Sequence, residues 1–157
     1  MLKQLRKRTE GFTIIEVMIV LAIAGLILLI VFLAVPALQR NSRNTALRNA
    51  AGNVLAGVNE FIAANNGKLP TKVGPTAADG TVPIGVAPDN IVTAKVKVGT
   101  TVASGAFVPA AALGTISVGL GQQCNGLTAF KANTRAVAAS FNLESGSAKL
   151  APQCIES

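Results

Sequence analysis

The sequence contains no histidine, tryptophan or tyrosine, and only seven of its 157 residues are carboxylates. Without histidine, the chain cannot form a His-based general base or nucleophilic triad. Its two cysteines are too few for the common Cys/His zinc sites. The composition therefore predicts a protein that is not an enzyme and has no metal or cofactor. Four of the carboxylates are scattered among residues typical of loops, namely Asp79, Asp89, Glu144 and Glu156.

The positive charge is divided unevenly along the chain. The first eleven residues carry Lys3, Arg6, Lys7 and Arg8 against Glu10, which is +3 of the total +7. The rest of the chain, at +4, is modestly basic. This charge favours simple solubility over attraction to anionic surfaces or DNA, because no aromatic stacking platform accompanies it.

Apolar residues make up half of the sequence and are concentrated between Phe12 and Leu38. From Ile14 to Val35 the single charged residue is Glu16. As a helix with a rise of about 1.5 Å per residue, this run spans a hydrocarbon core about 30 Å thick. The basic residues before it predict a cytoplasmic N-terminus, with the rest of the chain outside the inner membrane.

Two conventional interpretations of this segment explain it incompletely. A secretory signal peptide cut after Ala22-Ile23-Ala24 would leave a strongly apolar new N-terminus. A plain single-pass anchor does not explain the presence of Glu16. An explanation is needed because a carboxylate in an apolar span costs about 2–3 kcal/mol on insertion scales. Glu16 is therefore a candidate functional residue.

The run KRTEGFTIIE at residues 7–16 resembles the class III signal of type IV prepilins and pseudopilins. The resemblance implies that a prepilin peptidase cuts between Gly11 and Phe12 and methylates the new N-terminal Phe12. It also implies that Glu16 acts in assembly, where its carboxylate and the amine of Phe12 neutralise each other between neighbouring subunits. An unpaired charge buried among packed helices would be costly.

This family supplies the expected function and partners. It implies a structural subunit of a type IV pilus, an extracellular filament for adhesion, twitching motility or DNA uptake. The expected partners are further copies of the chain, other pilins, prepilin peptidase, and the inner-membrane assembly platform with its ATPase. The precursor is expected in the inner membrane as a single-pass protein.

Many members of this family carry a Gly and then a Pro where the helix loosens during assembly. Gly25 matches the Gly, whereas Pro36 lies about three residues later than the usual Pro. A Pro inside a helix removes a hydrogen bond and opens the turn before it. Loosening near Gly25 and Pro36 is therefore expected, at a shifted position.

The predicted fold class is α+β, with one helix from about Thr13 to Asn66 packed on a small antiparallel sheet. Residues 1–11 are the expected leader, 12–38 the membrane and filament-core helix, 39–66 an amphipathic helix, and 67–157 the loop and sheet of the head. Asn65-Asn66-Gly67 is a helix stop. Alternating patterns predict strands at 91–98, 114–120, 136–143 and 147–150, with a short edge strand in the 67–90 loop. The helix stripe expected to pack on the sheet comprises Leu47, Ala50, Val54, Leu55, Val58, Phe61 and Ile62.

Two further expectations concern the head and the residues just before it. Cys124 and Cys154 in an exported head predict one disulfide. Arg40, Arg43 and Arg48 are expected either on a solvated face near lipid headgroups or against acidic groups of a neighbouring subunit.

Two alternatives to an ordinary pilin remain open from the sequence. A secretion pseudopilin would bind calcium through clustered carboxylates, but Asp79 and Asp89 alone share a loop. A minor pilin that binds DNA would use spread-out cations, namely Lys68, Lys72, Lys95, Lys97, Lys131 and Arg135.

Overall fold

The computed structural model describes residues 11–86, 91–97, 99–104, 113–127, 130–146 and 149–157. Its contacts divide the chain into two units, Met1–Gln39 and Arg40–Ser157, which are described separately below. One long helix, α1, supplies residues to both units. The elements in chain order are α1 (Ile14–Ala64), β1 (Thr81–Ile84), β2 (Val92–Lys95), β3 (Thr101–Ser104), β4 (Thr115–Cys124), β5 (Phe130–Ser145) and β6 (Lys149–Glu156).

The first unit consists of the apolar part of α1. Every residue from Phe12 to Leu38 is exposed, including large side chains such as Phe32, which is 76% exposed. The helix is long and apolar enough to cross a membrane. So much exposed apolar surface is unfavourable in water, so this unit requires a lipid or protein environment.

The end of α1 confirms the predicted stop. Asn66 and Gly67 both have positive φ, at 54° and 80°, a conformation that is cheap for glycine and tolerated by asparagine. The Gly67 amide donates to the carbonyl of Ile62 at 2.8 Å, which satisfies one of the orphan carbonyls of the last turn. The chain then turns into the loop that leads to β1.

Two sheets form the strand part of the second unit. Strands β1 and β2 pair as an antiparallel ribbon, while the other four form a sheet in the order β3-β4-β5-β6. The fold class is therefore α+β, as predicted. The sheet is mixed, however, because β3 runs parallel to β4. The sequence analysis expected only antiparallel pairs and missed β3, whose four residues show too short a pattern to identify it.

The predicted strands are present with altered bounds. The pattern at 91–98 corresponds to β2, although Val98 lies outside the described residues. The patterns at 114–120 and 136–143 correspond to β4 and β5, which are longer than predicted because they continue to the disulfide end of the sheet. The pattern at 147–150 corresponds to the start of β6, with Ser147 outside the described residues. Strand β1 is the short strand expected in the 67–90 loop.

The predicted stripe of α1 lies in the core of the second unit. Val54, Val58 and Phe61 have no exposed surface, and Ile62 is partly buried against them. They pack with Ile116 and Val118 of β4 and with alternate residues of β5. Burying an apolar side chain of this size contributes about 1.5–3 kcal/mol. The amphipathic pattern therefore marks the surface that joins helix to sheet.

Gly57 allows the ribbon to approach α1 closely. A Cβ atom at this position would lie 2.6 Å from Cδ1 of Ile84 and 3.2 Å from Cβ of Ala94. Gly52, five residues earlier on α1, has no heavy atom within 4 Å of such a Cβ. The structure therefore shows a close approach at Gly57 and open space at Gly52.

Candidate processing and assembly site

Three residues precede the first turn of α1 and form the N-terminal end of the described chain. Gly11, Phe12 and Thr13 are exposed and lie outside the helix, which begins at Ile14. The side chain of Phe12 is 89% exposed. The peptide bond between Gly11 and Phe12 therefore lies in an exposed, non-helical segment that is accessible to a peptidase. Of the predicted leader, residues 1–10 lie outside the described residues.

Glu16 and Thr13 cap the start of α1 reciprocally. The amide and the hydroxyl of Thr13 donate to Oε2 of Glu16 at 2.9 and 2.7 Å. The amide of Glu16 in turn donates to the hydroxyl of Thr13 at 3.3 Å. This arrangement is a capping box, which satisfies backbone donors that have no partner inside the helix. The carboxylate also lies near the positive end of the helix dipole.

The sequence analysis missed Thr13. The pattern Thr-x-x-Glu before an apolar run, residues 13–16, is a known signature of a capped helix start and could have identified it. The structure thus places the carboxylate of Glu16 against Thr13. Thr13 directly follows Phe12, the predicted new N-terminus. A cationic amine at Phe12 and an anionic group at Glu16 are complementary in charge.

Gly25 and Pro36 lie within an uninterrupted helix. Pro36 is inside α1, and helical structure continues on both sides of it. Because proline has no amide hydrogen, it cannot donate to the carbonyl of Phe32. A Cβ at Gly25 would have no heavy atom within 4 Å. The loosening predicted for these two positions remains a proposal for assembly.

The second unit contains the predicted disulfide. Cys124 at the end of β4 and Cys154 in β6 are bonded, with their Cα atoms 5.9 Å apart. The amide of Cys124 donates to a carboxylate oxygen of Glu156 at 3.0 Å. The bond joins β4 to β6 across β5, so it connects strands that are not neighbours in the sheet.

Two of the three arginines at the start of this unit contact their own sheet. Arg43 forms an ion pair with Glu144 at 2.8 Å, and Arg40 donates to the carbonyl of Gly146 at 3.3 Å. The hydrogen bond and charge of Glu144 raise the pKa of the Arg43 guanidinium above its usual value. Arg48 is exposed on α1. The partner of Arg43 is thus within the chain, which the sequence analysis did not anticipate.

The two loop carboxylates considered as calcium ligands are Asp79 and Asp89. Asp79 accepts hydrogen bonds from the amide and the hydroxyl of Thr81, at 2.9 and 2.7 Å. Both bonds lower the pKa of Asp79, and the bond from the Thr81 hydroxyl has the larger effect. Asp89 lies outside the described residues. Among the residues that the structure does describe, no three His, Cys, Asp or Glu side chains form a group that could hold a metal ion.

The cations considered for DNA binding are distributed over several elements. Lys131 and Arg135 are exposed on β5, Lys95 is exposed on β2, and Lys68, Lys72 and Lys97 are exposed in loops. They do not share a single element.

Comparison with known proteins identifies the N-terminal segment. Residues 6–32 match the family model of the prokaryotic N-terminal methylation motif. No curated protein and no solved structure matches the chain.

The match contains Gly11, Phe12, Glu16 and Gly25, but not Pro36. The long N-terminal helix followed by a small mixed sheet is an α+β arrangement consistent with a pilin-like fold. The matched segment at residues 6–32 is the class III signal of type IV pilins.

Proposed function

We propose that this chain is a structural subunit of a type IV pilus. The observation that carries the proposal is the methylation motif at residues 6–32, which overlaps the N-terminal part of α1, where every apolar side chain up to Leu38 is exposed. Such a surface suits lipid before assembly and packed neighbouring helices afterwards. The filament would then serve adhesion, twitching motility or DNA uptake.

Processing would occur at the exposed segment before α1. A prepilin peptidase cuts between Gly11 and Phe12 and methylates the amine of Phe12. The cut removes the cations of the leader and creates one amine close to the capped start of the helix. The domain bounds that follow are a leader at 1–11, a membrane and filament-core helix at 12–38, an amphipathic helix at 39–66 and a head at 67–157.

Assembly would transfer the apolar helix from lipid into the core of a bundle. There, the amine of Phe12 on one subunit and the carboxylate of Glu16 on a neighbour neutralise each other. Until then, Glu16 is held by Thr13 through two hydrogen bonds, which offset part of the cost of placing a carboxylate in an apolar segment. Loosening at Gly25 and Pro36 would let the helix adjust its packing. The assembly platform and its ATPase supply the work of extrusion.

The test is intact-mass and N-terminal peptide mass spectrometry on material sheared from cells that make the protein. We expect an abundant species that begins at N-methylated Phe12. A chain that still begins at Met1 and stays entirely in the membrane fraction would contradict the proposal. A processed chain found only in membranes would retain the prepilin assignment but contradict the filament.

A further inference from the structure

Two hollows in the second unit are lined by four cations and share one carboxylate. Arg43 and Lys97 line a hollow of about 230 Å³, and Arg40 and Lys149 line another of about 330 Å³. Glu144 borders both hollows. Among the described residues that line them, it is the only carboxylate. This group, called here the Glu144 basic cluster, has a net charge of +3.

The cations of the cluster are available to an external anion. Lys97 and Lys149 are exposed, and the side chain of Arg43 is 55% exposed although it is paired with Glu144. The carboxylate of Glu144 itself is occupied, since Arg43 holds it at 2.8 Å. Arg40 is partly buried and directs one nitrogen to the carbonyl of Gly146. Two exposed lysines and the free face of Arg43 therefore remain for a ligand.

A second copy of the chain is a poor source of that anion. From Phe12 onward, the sequence contains ten Lys and Arg but only six Asp and Glu. Glu16 lies in the apolar helix, Glu144 is paired inside the cluster, and Asp79 is bonded to Thr81. Glu156 accepts the amide of Cys124. Glu60 is exposed on α1, but six carboxylates cannot neutralise ten cations, so contacts between copies leave an excess of positive charge.

The position of the cluster in the sequence points to the membrane instead. Arg40 and Arg43 follow Leu38, the last residue of the apolar run, by two and five residues. The headgroup layer on each side of a bilayer is about 5–8 Å deep, as the difference between total and hydrocarbon thickness shows. At about 1.5 Å per helical residue counted from Leu38, both arginines lie within reach of this layer when Leu38 lies at the hydrocarbon boundary.

We propose that the Glu144 basic cluster binds the phosphate of anionic phospholipid headgroups while the subunit resides in the membrane. Arginine and lysine near an anionic surface attract it electrostatically, and a guanidinium can bind a phosphate through two nitrogens. The cluster would hold the head at the bilayer surface before assembly, and filament entry would release it. The inference rests on the membrane-anchored state in the proposed function.

The test uses the full chain in detergent, titrated with phosphatidylglycerol or with phosphatidylcholine and followed by native mass spectrometry. The test variant is K97Q/K149Q, which leaves both arginines and Glu144 in place. The matched control is K68Q/K72Q, which removes two exposed loop lysines outside the cluster. Each cation near an anionic surface raises the binding affinity severalfold. We therefore expect K97Q/K149Q to weaken phosphatidylglycerol binding by about tenfold. Phosphatidylcholine binding should not change.

Three results would overturn the inference. They are equal binding of the two lipids by the unaltered chain, equal losses in the two lysine variants, and tighter binding of a short DNA duplex that depends on Lys97 and Lys149. Flotation with vesicles of each lipid separates this inference from the proposed function. A chain that floats with neither vesicle contradicts membrane anchoring itself, whereas one that floats with both and has no preference contradicts only the headgroup site.

Discussion

Asn44 of α1 and Glu144 of β5 are joined by two hydrogen bonds. Nδ2 of Asn44 donates to the Glu144 carbonyl at 3.0 Å, and the Glu144 amide donates to Oδ1 of Asn44 at 2.9 Å. The side-chain amide of Asn44 thus pairs with the main chain of Glu144 as a neighbouring strand would. The arrangement links helix to sheet at the end of the head where the chain enters it.

We expect Asn44→Ala to lower the free energy of unfolding by about 1–3 kcal/mol, because it leaves a partly buried amide and carbonyl unpaired. The measurement is urea unfolding of the full chain in detergent, followed by circular dichroism, since the chain has no tryptophan or tyrosine fluorescence. Ser42→Ala, an exposed position two residues earlier, is the control. Equal stability of the two variants would contradict the role of Asn44.

Gly57 and Gly52 provide a matched pair for testing the packing of α1 on the ribbon. Leucine at Gly57 must occupy the space filled by Ile84 and Ala94, so we expect a loss of about 1–3 kcal/mol of unfolding free energy. Leucine at Gly52 faces open space and has a higher helix propensity than glycine, so we expect a gain of about 0.5 kcal/mol. Urea unfolding of both variants checks the sign of each change. A stabilising Gly57→Leu would refute the close contact.

The disulfide between Cys124 and Cys154 closes a loop with a sequence separation of 30. In the chain-entropy description, such a loop stabilises the folded chain by about 3–4 kcal/mol. We expect a reductant to lower the urea midpoint of the unaltered chain and to have no effect on C124S/C154S. An unchanged midpoint, together with two thiols detected by titration, would show that the bond contributes little.

The lowered pKa of Asp79 predicts that the free energy of unfolding decreases in acid. Its lowered pKa means that the folded chain binds fewer protons than the unfolded chain in the acid range. The associated stability is present at neutral pH and is lost as the pH falls through the depressed pKa. Thr81→Val removes the hydroxyl bond and should raise the pKa of Asp79 towards its ordinary value, as measured by NMR titration of that carboxyl. Thr93→Val, at an exposed position on β2, should leave the titration unchanged.

Variants at Glu16 and Thr13 distinguish the effect of charge from the effect of helix capping on the proposed assembly. Glu16→Gln leaves the amine of Phe12 unpaired in the filament core, and breaking a buried pair costs about 3–5 kcal/mol. We expect filament subunits in the sheared fraction to fall by at least about a hundredfold, since each 1.4 kcal/mol corresponds to a factor of ten. Processing at Gly11 should continue.

Thr13→Ala removes the cap but keeps the charge, at a cost of about 1 kcal/mol. Its expected effect on sheared filaments is therefore less than about tenfold. Quantitative mass spectrometry of sheared and membrane fractions measures both variants. Comparable filament yields from Glu16→Gln and the unaltered chain would contradict the proposed neutralisation.

Local patterns in the sequence were sufficient to predict the helix and its two faces. The apolar run before Pro36 and the spaced residues from Leu47 to Phe61 have a helical period, which a single stretch of chain displays by itself. The Asn66-Gly67 stop depends on local φ angles and was predicted for the same reason. The signal around Gly11 and Glu16 is also contiguous, so it could be identified without a structure.

The tertiary structure decided what depends on contacts between distant residues. The parallel pairing of β3 with β4, the ion pair between Arg43 and Glu144 and the burial of both faces of β5 from Val137 to Leu143 are of this kind. Residues 43 and 144 are 101 positions apart, and no periodicity connects them. The sequence by itself determined a class III signal, an apolar helix long enough to cross a membrane and an amphipathic continuation, because each is a local pattern of polarity. Strand order, register and the partners of charged groups were decided only on folding, when segments far apart in the chain came into contact.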